Sequence, residues 1–191
     1  MNMYFRLLSL CIGLLLVIHV NAQELSPALT FWNTLQSHCG QAYTGALELP
    51  LEDEAFGGKR LTMHFRSCSD TEIKIPFFVG DDRSRTWILT YKDGRITLKH
   101  DHRHEDGTED EVNFYGGTAS NVGKAEIQFF PADPHTQKMI PEAATNVWWI
   151  TIDETTFTYN LKRLGTDRIF KVVMDLTKSI DKPAPPWGWK E

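Results

Sequence analysis

Positive charge is in short supply in this sequence. Lys and Arg number 20 against 25 Asp and Glu, a net charge of −5 with histidine neutral. No basic stripe exists to neutralise phosphates, which removes nucleic acid and anionic lipid surfaces from the expected partners. Long apolar runs are also missing. The longest, Leu7 to Ile18, holds about 12 residues, short of the roughly 18–20 that cross a bilayer. No integral span is expected once that segment is removed. There is no internal repeat, no low-complexity block and no alternation of strand and helix patterns, which excludes solenoids and doubly wound folds. Cysteine is limited to three residues.

What is present begins with an export pattern. Arg6 precedes the apolar run, and Val20-Asn21-Ala22 places small or moderate residues at the −3 and −1 positions. This order predicts a signal peptide over 1–22, cleaved after Ala22, and hence a secreted or periplasmic protein. A lipoprotein reading through Cys11 fails, because Leu10 is too large and the apolar stretch follows the cysteine. The mature chain of about 169 residues is the size of one domain. Cys11 leaves with the signal peptide. Cys39 and Cys68 remain, an even count in an oxidising compartment, and a disulfide is expected.

Ser26-Pro27 is an N-cap followed by proline at the first helical position. Leu29, Trp32 and Leu35 recur at helical spacing, and Gly40 stops the run. One helix over 26–38 follows. The rest reads as strands at 41–50, 60–68, 72–79, 85–92, 95–102, 110–116, 124–130, 147–153, 155–163 and 167–176. Asp93-Gly94 is a type I′ hairpin signal. Leu61, Met63 and Phe65 share one face, as do Phe157, Tyr159 and Leu161, and Phe170, Val172, Met174 and Leu176. Residues 133–146, with Pro134 and Pro141, read as a loop or short helical excursion. The Pro/Trp-rich tail over 182–191 reads as an extended strap. The expected fold is mainly β: a closed antiparallel up-and-down barrel of about 8–10 strands over 23–181, with one N-terminal helix. A two-sheet sandwich is the alternative.

Trp32, the segment Gly40-Gln41-Ala42-Tyr43-Thr44-Gly45 and the strand series after it give a layout that resembles the calycin group, in particular the nitrobindin-like and fatty-acid-binding barrels. The glycine-x-tryptophan of the lipocalin first strand is absent. The chain also resembles secreted bacterial proteins carrying Arg-Ser-Cys-Ser-Asp, Asp-Arg-Ser-Arg-Thr-Trp and His-Asp-His-Arg-His-Glu-Asp-Gly segments, which here are 66–70, 82–87 and 100–107. That resemblance implies no activity.

The chemically richest stretch is His100-Asp101-His102-Arg103-His104-Glu105-Asp106-Gly107. Alternation puts His100, His102 and His104 on the face of Ile96 and Leu98, about 6–7 Å apart in succession. Three readings compete. The histidines are a hydrogen-bonded polar strand end. Or they hold a divalent transition metal, with Asp106, His64 or His135 as further ligands, since converging imidazoles suit zinc, copper, iron or nickel. Or they form the polar rim around an organic ligand or haem. Gly94 and His100-x-His102 match the start of the cupin metal motif, but its glutamate falls out of place: Glu105 is too early and Glu109 too late.

His64 lies opposite the apolar Met63 and Phe65 and is expected at the surface or hydrogen-bonded. Tyr115-Gly116-Gly117 reads as a tight turn. Asp81 to Arg85 reads as a charged turn, and Glu105 to Glu111 as a solvated acidic loop. Trp148-Trp149 places one indole on each face of a strand. No nucleophile–base–acid constellation is visible. The leading expectation is a monomeric barrel that binds a small, apolar ligand through inward Trp87, Tyr91, His100, His102, Phe157 and Tyr159. The rivals are a metal-dependent protein or enzyme built on His100, His102 and His104, and a non-catalytic envelope or interaction protein using the Trp-bearing tail.

Overall fold

A computed structural model describes residues 25–190, so the expected signal peptide lies outside the described residues. The first element is helix α1 (Pro27–Ser37). The Ser26 hydroxyl accepts from the Leu29 N–H at 3.2 Å, and Pro27 sits where its missing N–H costs nothing. Its apolar face, Phe31, Trp32 and Leu35, is fully buried. Each of these side chains contributes roughly 1.5–3 kcal/mol by leaving water.

Strands β1 (Ala42–Leu49), β2 (Leu61–His64), β3 (Ser67–Cys68), β4 (Glu72–Val79), β5 (Asp82–Lys92) and β6 (Arg95–His102) follow. After them come β7 (Tyr115–Thr118), β8 (Ile127–Pro131), β9 (Asn146–Ile152), β10 (Thr156–Arg163) and β11 (Ile169–Asp175). A short helix α2 (Pro134–Met139) and a 3-10 turn, Pro141–Ala143, occupy the excursion before β9. The sheet order is β7-β6-β5-β4-β2-β1-β11-β10-β9-β8, with β3 paired on β4. All pairs are antiparallel, and β1 meets β11 through Gly45 opposite Met174. The result is the nearly closed up-and-down barrel that the strand pattern predicts.

The last gap lies between β7 and β8. Gly116 N–H donates to the Thr136 hydroxyl at 2.7 Å, the same hydroxyl donates to the Gly116 carbonyl at 2.8 Å, and Asp133 N–H reaches that carbonyl at 2.9 Å. α2 therefore supplies the partners a neighbouring strand would have supplied. Gly117 permits the approach: a Cβ there would stand 1.7 Å from the Pro131 carbonyl oxygen.

The β5–β6 hairpin turns on Asp93 and Gly94, both at positive φ (51° and 74°), as a type I′ turn requires. Inside the barrel, the predicted alternation holds: Leu61, Met63, Phe65, Phe157, Leu161, Val172 and Met174 are all buried. Cys39, just after α1, is bonded to Cys68 in β3, 29 residues away. That pairing fits a compartment outside the reducing cytoplasm. Among the described residues no helix is long and apolar enough to cross a membrane.

Several expectations are corrected. The turn expected at Asp81 to Arg85 is strand from Asp82 on, the start of β5, and the turn expected at Tyr115-Gly116-Gly117 is the start of β7. The strand expected over 110–116 begins only at Tyr115, because Asp110 Oδ1 accepts from Val112 N–H and Asn113 Oδ1 accepts from both His102 and Phe114 N–H. These side chains take the donors a ladder would use. The strand expected over 60–68 is divided into β2 and β3. His64 is buried, at 3% exposure, although it faces away from the barrel interior. The C-terminal strap covers it: Lys182, Pro183 and Pro185 line the same recess as His64, Gly40 and Arg66. The strap is held by Ile180 N–H to the Ala42 carbonyl (2.8 Å), Arg83 to the Pro185 carbonyl (3.0 Å) and Lys74 over the Trp189 ring (5.5 Å).

Candidate functional site

α1 plugs one end of the barrel. Its Trp32 stacks on Tyr91 with centroids 5.7 Å apart and donates its indole N–H to the Asp70 carbonyl at 3.1 Å. Tyr91 is near the C-terminal end of β5. The N-terminal end of the same strand, at Arg85, opens instead on a cavity of about 390 Å³. The interior is thus filled at the helix end and hollow at the other.

The inner wall is aromatic. Trp87 stacks on Phe77 (4.5 Å, 18°) and on Tyr159 (4.6 Å, 20°). Tyr115 lies flat on His100 (4.4 Å, 9°), and Trp148 leans against both. Phe170, from the start of β11, closes the ring edge-on to Tyr159. Offset and edge-to-face pairs of this kind hold their geometry, so the wall is preorganised.

Both tyrosine hydroxyls and both His100 ring nitrogens of that wall are hydrogen-bonded. His100 is 3% exposed. Its Nδ1 lies 3.0 Å from the Tyr115 carbonyl, which can only accept, so Nδ1 carries the proton. Nε2 is then an acceptor and takes the Tyr159 hydroxyl proton at 2.7 Å. Burial pushes His100 down to about 3, which keeps it neutral. Burial likewise raises Tyr159 well above the ordinary phenol range and Tyr115 to about 12, so both phenols stay protonated. The Tyr115 hydroxyl is hydrogen-bonded to His102 Nε2 at 3.0 Å. His102 is itself held below the ordinary imidazole range, first by burial and then by Arg85.

The mouth has a different character. Arg85, Arg163 and Arg168 line it, with Asp110 as the carboxylate among them. Arg85 is paired with Asp82 and lies over the Phe56 ring. Arg163 donates through Nε to Asn146 Oδ1 at 3.0 Å, leaving the rest of its fork unused by the described residues.

Of the residues expected to meet a ligand, Trp87, His100, His102 and Tyr159 line the cavity. Tyr91 and Phe157 do not. Tyr91 is at the plugged end, and Phe157 is fully buried between Phe65 and Trp87. The three histidines do not converge. The ladder ends at His102, and His104 sits exposed in the following turn, its N–H bonded to the Thr108 carbonyl. His100 also has no ring nitrogen free for a metal or a haem iron. Among the described residues no group of three or more His, Cys, Asp and Glu side chains is placed to hold a metal.

Sequence reasoning missed Tyr115, Trp148, Phe77 and the arginines. Phe77 was open to discovery, since it alternates with Ile73 and Ile75. Trp148 was ambiguous because Trp149 beside it is equally aromatic. Trp149 proves to be the outward one, packed on Phe129 at 6.0 Å. No signal marked Tyr115, Arg163 or Arg168, because the strand ends and the β10–β11 turn that place them carry no periodicity. Comparison with protein-family models, curated proteins and solved structures finds no match.

Proposed function

We propose that this protein is a ligand-binding barrel that takes a small, largely apolar, planar organic molecule into its open end. One observation carries the reading: a cavity of about 390 Å³ whose inner wall is stacked aromatic rings, with both tyrosine hydroxyls and both His100 ring nitrogens already bonded. That volume is at the lower end of the usual range for small-molecule sites and suits a ligand of roughly two fused rings. Rings whose hydroxyls are already bonded offer a ligand mainly apolar surface. The up-and-down strand order supports a kinship with the calycin barrels as part of the same proposal.

Titration with the neutral dye 1-anilinonaphthalene tests this, read by dye fluorescence and by quenching of tryptophan emission. Saturable one-to-one binding that is lost in Trp87→Ala and in Tyr159→Ala, each shown folded by circular dichroism, is the expected result. Binding that survives both substitutions, or no saturable binding, sinks the proposal.

A further inference from the structure

The cavity divides its chemistry by depth. Inside, His100 uses both ring nitrogens, the Tyr159 hydroxyl is hydrogen-bonded to His100, and the Tyr115 hydroxyl to His102. A ligand's polar group placed beside them would lose its water and find these atoms already engaged, at a cost of about 1–3 kcal/mol. At the mouth the balance is reversed. Arg163 and Arg168 face the opening and, among the described residues, neither forms an ion pair. The neighbouring carboxylate, Asp110, already accepts from Val112 N–H, and Arg85 is matched by Asp82. Counting Asp110 and Asp82 against Arg85, Arg163 and Arg168 leaves one positive charge in excess at the opening, in a molecule whose overall charge is negative.

Resting on the cavity reading above, we propose that the ligand is a monoanionic amphiphile, an aromatic carboxylate in chemical class. Its ring system lies in the cavity against the aromatic wall of Trp87, Trp148 and Tyr159, and its acid group points outward to Arg163 and Arg168. A guanidinium fork matches a carboxylate in two-point geometry, and such charge-assisted bonds are stronger than neutral ones. At a half-open mouth the attraction is screened by water and salt, so its effect is a moderate preference.

The test compares two molecules with one ring system, 2-naphthoate and 2-naphthalenemethanol, as competitors of the bound neutral dye at low and high salt. The carboxylate is expected to bind on the order of tenfold tighter at low salt. That advantage should shrink at high salt and vanish in Arg163→Gln/Arg168→Gln. Arg168 is exposed, so Arg168→Glu leaves the fold intact and should turn the preference toward the alcohol. Equal affinities, or a carboxylate preference that persists in both variants, overturn the inference and leave the cavity reading standing. Failure of both competitors to bind overturns the two together.

Discussion

Tyr159 gives its hydroxyl proton to His100 Nε2 at 2.7 Å, 59 residues away in sequence and entirely within the barrel wall. The Tyr115 carbonyl sets the tautomer of the imidazole, and the bond to Nε2 engages the phenol's hydrogen. Removing the donor leaves a buried acceptor unsatisfied. Tyr159→Phe is therefore expected to cost about 1–3 kcal/mol in urea unfolding. His100→Phe should cost a similar amount, since it strands the Tyr115 carbonyl. The double variant should cost clearly less than the sum, and strict additivity would show that the pair is not coupled.

Acid should unfold this protein early. His100 has a folded pKa near 3 because its burial penalises the charged form, while the unfolded chain titrates near 6.5. Between those values the unfolded state binds the proton and the folded state does not. The stability it contributes is complete above about pH 6.5 and falls as pH drops toward 3, by about 1.4 kcal/mol per unit for this one group. His38, His64 and His102 are lowered as well and act in the same direction. Urea midpoints measured from pH 7 to pH 4 should decline, and His100→Gln should show the shallower slope. Equal slopes in the two proteins would contradict the assignment.

The Cys39–Cys68 bond ties the end of α1 to β3 and closes a loop with a sequence separation of 29. In the chain-entropy model a loop of that length is worth about 3–4 kcal/mol. Cys39→Ser/Cys68→Ser should lose that much, seen as a lower urea midpoint, while the oxidised wild type reacts with no thiol reagent at these two positions.

His64 presents the opposite case. It is buried under the strap, and neither ring nitrogen has a partner among the described residues. Burial first, then Arg66 and Lys182, hold it below the ordinary imidazole range. An apolar side chain of similar volume removes an unmet polar demand. His64→Leu should be neutral or stabilising by up to about 2 kcal/mol at pH 7, with the gain larger at pH 5. A loss of stability of that size would mean the imidazole serves a partner.

Much of the barrel was legible in the chain. Alternation in Leu61-Met63-Phe65 and Phe157-Tyr159-Leu161 is a local property: the pleat sends every second side chain inward. Asp93-Gly94 declares its turn through the φ values it tolerates. Trp87, His100, His102 and Tyr159 were found by that same parity, carried along β5, β6 and β10. Parity gives a face, however, and not a depth. Tyr91 shares the inward face with Trp87, yet it stacks under α1 at the plugged end. Phe157 shares it with Tyr159, yet it lies below the cavity floor.

The sequence by itself determined most of the strands, the N-terminal helix and the inward side of the strands, because these depend on neighbours two to four residues apart. The cysteine pair followed from the even count. Only the tertiary structure decided which end of the barrel stays hollow. It also decided that His104 leaves the wall while His100 meets Tyr159, and that the strap buries His64. Those outcomes depend on strand stagger and on where α1 and the tail come to rest. Both are settled by packing between residues far apart in the chain.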